Sequence, residues 1–238
     1  MNKLTKQEID LIKKTIDIAE ANDIVDVRFA DGKIGGYSAE NGVFILEDCQ
    51  HSFSFPTLAL SRLGVLKKRL SLVDNLSEYD LMYESNSKNV TKLIFKGKRT
   101  KLEFRCTDPD SLGKMPVKIS DPIYFSFEMD DDTITVLNRV SMAMDTKTIA
   151  LIGDKNERGL ILRVEDENRD VLEHETESEV RWSDVCDVQQ FNFVYSAKKI
   201  ARLIREAVQA NFKTVNITKR GFMITQSKGI TVYTVPEV

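Results

Sequence analysis

The sequence predicts an α+β chain of two similar halves, each with two helices packed on antiparallel β-sheet. Three observations point there. Four segments, two in each half, repeat apolar residues at helical spacing. Short strand-like segments are punctuated by Asp31-Gly32 and Asn41-Gly42, both strong hairpin signals, and by Lys96-Gly97, Arg220-Gly221 and Lys228-Gly229. The order helix, strands, helix, strands occurs twice. The repeat lies in the order of elements and not in self-similar residues. Pro109, Pro116 and Pro122 mark a connector at 108–122, which divides the chain into 1–107 and 123–238.

The first helix spans Thr5 to Asn22, with Thr5 and Glu8 as a capping box and Ile9, Ile12, Ile16 and Ala19 as its buried stripe. Its other side mixes Lys6, Lys13 and Lys14 with Asp10 and Asp17. Strands follow at Val25–Phe29, Lys33–Tyr37, Val43–Glu47 and Ser52–Phe55. Pro56 suits a first helical turn, so Leu58 to Leu66 reads as a short apolar helix. Strands are then expected at Leu70–Val73, Glu78–Tyr83, Val90–Lys96 and Thr100–Arg105.

In the second half a strand at Ile123–Glu128 leads to a helix from Asp131 to Asp145, with Ile134, Leu137, Val140 and Met144 facing its core. Strands at Thr148–Ile152, Gly159–Glu165 and Glu179–Trp182 flank an acidic hairpin or loop between Asp166 and Glu177. Phe191, Phe193 and Tyr195 then alternate along a strand that passes through Ser196, an N-cap, into the last helix. There Ile200, Leu203, Ile204 and Ala207 share one face, opposite Lys198, Arg202 and Arg205. Strands at Thr214–Thr218, Phe222–Gln226 and Ile230–Val235 close the chain.

The formal net charge is −3, but its distribution is uneven. Residues 56–73 hold Arg62, Lys67, Lys68 and Arg69 without an acid, whereas residues 153–187 carry twelve acids against five bases. A phosphate responds to the field within a Debye length of about 8–10 Å, so local charge decides. Cys49, Cys106 and Cys186 have no metal spacing and suit a reducing, cytoplasmic setting. No apolar run is long enough for a membrane span, and Met1 to Lys6 lacks the core of a signal peptide.

Short pieces of the chain resemble the DNA polymerase sliding clamps, both those of T4-like phages and the proliferating-cell nuclear antigens. Ala59-Leu60-Ser61-Arg62-Leu63-Gly64-Val65-Leu66, closing on Leu72-Val73-Asp74, is similar to a first-domain helix of the phage clamps. Phe191-Asn192-Phe193 is phage-clamp-like, and Tyr233-Thr234-Val235-Pro236 resembles the tail of the nuclear antigens. The resemblance implies two clamp-type domains that assemble into a homotrimeric ring round double-stranded DNA, in a host-cell cytoplasm if the source is a phage. Its partners would be a DNA polymerase and a clamp loader. Lys13, Lys14, Arg62, Lys67, Lys68, Arg139, Lys198, Lys199, Arg202 and Arg205 would face phosphates without reading bases. Met115, Val117, Tyr233, Val235 and Pro236 would line a pocket for a partner's apolar-aromatic peptide. The alternative is a monomeric DNA-binding polymerase accessory of related fold.

Enzyme signatures are weak. His51 and His174 lack metal-ligand spacing to a cysteine, and no phosphate-binding or nucleophile motif is present. Asp130-Asp131-Asp132 suits a helix start better than a Mg²⁺ site. The reading is a non-enzyme without metal or cofactor.

Overall fold

The computed structural model describes residues 2–38, 40, 42–49, 52–74, 79–116, 119–144, 146–157, 159–210 and 214–237, with backbone only at 73–74, 141–143 and 205–210. His51 and Val117 lie outside the described residues. The chain divides into two units, Met1–Lys118 and Ile119–Val238.

Each unit is a tandem of two βαβββ motifs. In the first unit these are β1 (Asn2–Lys3), α1 (Lys6–Ala21), β2 (Val27–Ala30), β3 (Lys33–Ser38) and β4 (Val43–Asp48), then β5 (Leu58–Leu60), α2 (Leu63–Asp74), β6 (Tyr79–Ser85), β7 (Val90–Gly97) and β8 (Lys101–Arg105). In the second they are β9 (Ile123–Glu128), α3 (Asp131–Ala143), β10 (Thr148–Asp154), β11 (Ile161–Glu165) and β12 (Val171–Glu175), then β14 (Gln190–Ser196), α4 (Ala197–Ala210), β15 (Thr214–Thr218), β16 (Met223–Ser227) and β17 (Ile230–Thr234). A two-residue strand, β13 (Arg181–Trp182), pairs with β9.

The motifs trade their first strands. β1 joins β6-β7-β8 and β5 joins β4-β3-β2; likewise β9 joins β15-β16-β17 and β14 joins β12-β11-β10. Within each unit the paired strands named above run antiparallel. Two helices, α1 with α2 and α3 with α4, pack together in each unit.

The helices start where local chemistry starts them. Thr5 caps α1 in a reciprocal box with Glu8, Asp130 caps α3 by accepting from Thr133 N–H, and Ser196 Oγ accepts from Lys199 N–H at 3.2 Å. α1 buries Ile12, Ile16, Ile18 and Ala19, and α4 buries Ile200, Leu203 and Ile204. The core of the second unit is built round a Phe125–Phe191 stack with centroids 4.1 Å apart and Trp182 tilted against both. Phe191 lies over its cross-strand partner Gly153, where a Cβ would stand 2.2 Å from its ring.

The structure corrects the expected helix at 58–66. Leu58–Leu60 is a strand and the helix runs from Leu63 to Asp74, through the strand expected at Leu70–Val73. Arg62, with φ of +54°, makes the break between them. Leu63, Leu66 and Leu70 supply the buried stripe of α2, so Pro56 opens no helix. Ser52–Phe55 is not a strand, and the acidic 166–177 region is a hairpin joining β11 to β12.

Thr5→Ala should cost about 1 kcal/mol in urea unfolding, the usual worth of such a cap. Burial alone would raise the pKa of Glu8, but hydrogen bonds from Thr5 and Ser54 outweigh it and lower the pKa. A lowered folded-state pKa means stability that is present above about pH 4.3 and is lost as pH falls through the folded value. The destabilisation caused by Glu8→Gln should therefore be full at pH 7 and shrink on acidification below about pH 4.

Candidate nucleic-acid surface and partner groove

Although the whole chain is net negative, the four helices hold eleven basic and eight acidic side chains. Within the first unit, Lys67 of α2 bridges to Asp17 at 3.1 Å and Glu20 at 2.7 Å on α1. The Glu20 hydrogen bond, helped by Asp17, raises the Lys67 pKa. Two acids that would repel a polyanion are thereby spent on holding the helix pair. Lys13 donates to the Tyr79 hydroxyl at 2.9 Å, while Lys14 and Lys68 stand exposed.

Arg62 and Arg69 lie against the buried Phe104 ring, 5.1 and 5.5 Å from its centroid. Their guanidiniums donate to the carbonyls of Arg105 and Glu103, each at 3.2 Å. Hydrogen bonds from Lys101 and then Lys92 hold the Glu103 carboxyl down at about 2, so it stays anionic.

In the second unit Arg139 and Lys198 are exposed. Two residues expected to face DNA do not. Lys199 is 8% exposed, with Nζ bound to Val235 O at 2.7 Å and Glu237 at 2.7 Å. Arg202, three residues on and on the same side of α4, is 2% exposed. Lys199 faces protein because the chain's own C-terminal segment returns to the start of α4, where Glu237 N–H also donates to Val194 O at 2.7 Å. The Arg205 side chain lies outside the described residues.

The residues expected to line the peptide pocket have distinct local settings. Met115 and Pro116 line a cavity of about 370 Å³ with Arg28, Gly35, Tyr37 and Leu112. A Cβ on Gly35 would stand 2.6 Å from Met115 Sδ, so the glycine is what lets the connector approach the strand. Arg28 donates to the carbonyls of Pro109 and Gly113, tying down the same segment. Tyr37 keeps half of its surface exposed at the cavity. Tyr233 is buried in β17, and Val235 and Pro236 are half-buried beside Lys199. Sequence reasoning named Arg69 only as part of a local basic run and did not find Arg28, Gly35, Tyr37 or Phe104. The Gly35-Gly36 pair inside a strand was the one available signal, since it marks close backbone approach.

Asp130 serves as a cap, and among the described residues no group of three or more His, Cys, Asp or Glu is placed to hold a metal. Among the described residues no helix is long and apolar enough to cross a membrane.

No family model and no curated protein sequence matches the chain. Solved structures do match, over its whole length. Proliferating cellular nuclear antigen from Entamoeba histolytica is similar with a TM-score of 0.64 at 14% identity, covering 100% of this chain and 98% of that one. The A. fulgidus nuclear antigen, solved with the C-terminal region of FEN-1, is similar at 0.64 and 12%, covering 96% of each. The C. crescentus beta sliding clamp is similar at 0.66 and 14%, covering 97% of this chain and 64% of that one. The chain therefore has the sliding-clamp fold.

Gly35→Ala should leave the fold intact and displace the flexible Met115 side chain. Tryptic cleavage after Lys114 should then become several-fold faster than in the unaltered chain.

Proposed function

We propose that the chain is a DNA polymerase sliding clamp, a non-enzymatic processivity factor that closes as a homotrimer round duplex DNA. The observation that carries this reading is the end-to-end likeness to a two-domain nuclear antigen, 100% of this chain on 98% of that one. Three copies would bring twelve helices to one hole. At a spacing of about 8–10 Å, these trace a circumference of roughly 100 Å, about 30 Å across, wide enough for a duplex.

The mechanism is topological. Exposed Lys14, Arg62, Lys67, Lys68, Arg139 and Lys198 would meet phosphates through weak contacts that are sequence-independent and salt-sensitive. Encirclement supplies retention, so no single contact has to be strong. Tight or base-specific binding would oppose sliding. Arg28, Tyr37 and Met115 would receive an extended apolar-aromatic peptide from a polymerase or clamp loader. The cytoplasm, of a phage-infected host on the phage reading, is the proposed setting.

A mass measurement at micromolar concentration, with and without loader and DNA, tests the ring. Three chains per particle is the expected result, and a monomer under every condition rejects it in favour of a one-sided accessory protein. Replacing Lys14, Lys68, Arg139 and Lys198 by alanine should leave that mass unchanged. It should lower processive synthesis several-fold and reduce the salt slope of DNA retention by about one for each phosphate that is no longer neutralised.

A further inference from the structure

The chain covers part of the outer edge of β14 with its own end. β14 is the last strand of the sheet β12-β11-β10-β14. At the two ends of its pairing with β10, Ala197 N–H donates to Lys147 O and Lys155 N–H donates to Gln189 O. Odd-numbered residues of β14 therefore turn their backbone groups toward β10, and Asn192 and Val194 turn theirs outward. Glu237 N–H takes the outward carbonyl of Val194 at 2.7 Å. Lys199 grips the same segment from α4. Its Nζ donates to Val235 O at 2.7 Å and lies 2.7 Å from Glu237 Oε1. An ammonium as deeply placed as this one needs such acceptors, because burial without them is costly. Pro236, between the two gripped residues, has no N–H to leave unpaired, and its fixed φ limits the entropy lost on seating.

We propose that Lys199 and the β14 edge form a seat for an extended peptide of apolar-Pro-acidic character, which Val235-Pro236-Glu237 fills as a self-ligand until a partner segment of the same chemistry displaces it. Each contact is one that a separate peptide can make. Two are to main-chain groups, Val235 O and Glu237 N–H, and carry affinity without sequence information. The third is to a carboxylate and sets the charge of the occupant. Strand addition to an open edge divides affinity and specificity in this way. Displacement has a place to begin. The N–H and C=O of Asn192 also point outward, and among the described residues no group of the C-terminal segment bonds to them. A longer acidic strand can pair there first and then lift the tail, whose own hold is three contacts. The inference rests on the clamp reading for the identity of the partner, but the occupied seat is a property of the single chain.

The test uses the full-length chain and the variant Glu237→Lys, which sets a like charge against Lys199 and leaves the seat itself unchanged. Hydrogen exchange at the amide of position 237 should become many-fold faster in this variant, and an unchanged rate overturns the latch. The probe is a synthetic peptide copying residues 233–238, labelled for fluorescence anisotropy and titrated at low ionic strength, where ion pairs are least screened. The variant should bind it several-fold tighter than the unaltered chain, whose own tail competes. Equal binding by both chains, or binding by neither, overturns the seat as a docking site. Adding Lys199→Met to Glu237→Lys keeps the apolar stem and removes the donor, and should abolish the gain. A gain that survives this change overturns the assignment to Lys199. Glu237→Gln, with a smaller gain, serves if the lysine variant fails to fold. A chain that meets all of these expectations yet stays monomeric with loader and DNA sinks the ring and leaves the seat standing.

Discussion

In each unit the opening strand of one βαβββ motif is hydrogen-bonded to the meander of the other. Neither motif can complete its sheet alone, so the unit is stable only when both are in place. The exchange brings strands far apart in sequence together, as Lys3 with Met82 in one unit and Thr214 with Glu128 in the other. Such long-range pairing makes folding slow but the product cooperative. It also sets the two helices of each unit side by side, which is what gives them a common exposed surface.

The charge on that surface follows from which cations the fold occupies. Lys67 neutralises two acids of α1, Lys13 is tied to Tyr79, and Lys199 is buried under the C-terminal segment. Lys14, Lys68, Arg139 and Lys198 are left exposed. With one on each of the four helices, they would hold a polyanion only loosely under the proposed function.

The connector is fixed by equally local means. Gly35 offers a face without a side chain, Met115 fills it, and Arg28 takes two carbonyls of the segment. The cavity that results combines a flexible thioether, an aromatic ring and a guanidinium, the groups to which the proposed function assigns a partner's apolar-aromatic peptide.

The residues by themselves determined three of the four helix starts, the turns and the doubled plan. Thr5, Asp130 and Ser196 act on amides within three positions, and glycine turns such as Asp31-Gly32 and Lys228-Gly229 need only their own φ values. These interactions are local and can be read without knowing the fold. Only the tertiary structure decided that 58–60 is a strand, since its partner β2 lies some thirty residues away. The same holds for the cations. Lys198 and Lys199 differ by one position, yet one reaches solvent and the other a carbonyl thirty-six residues on. Helical spacing gives the direction of a side chain, and what waits in that direction depends on distant chain that periodicity does not see.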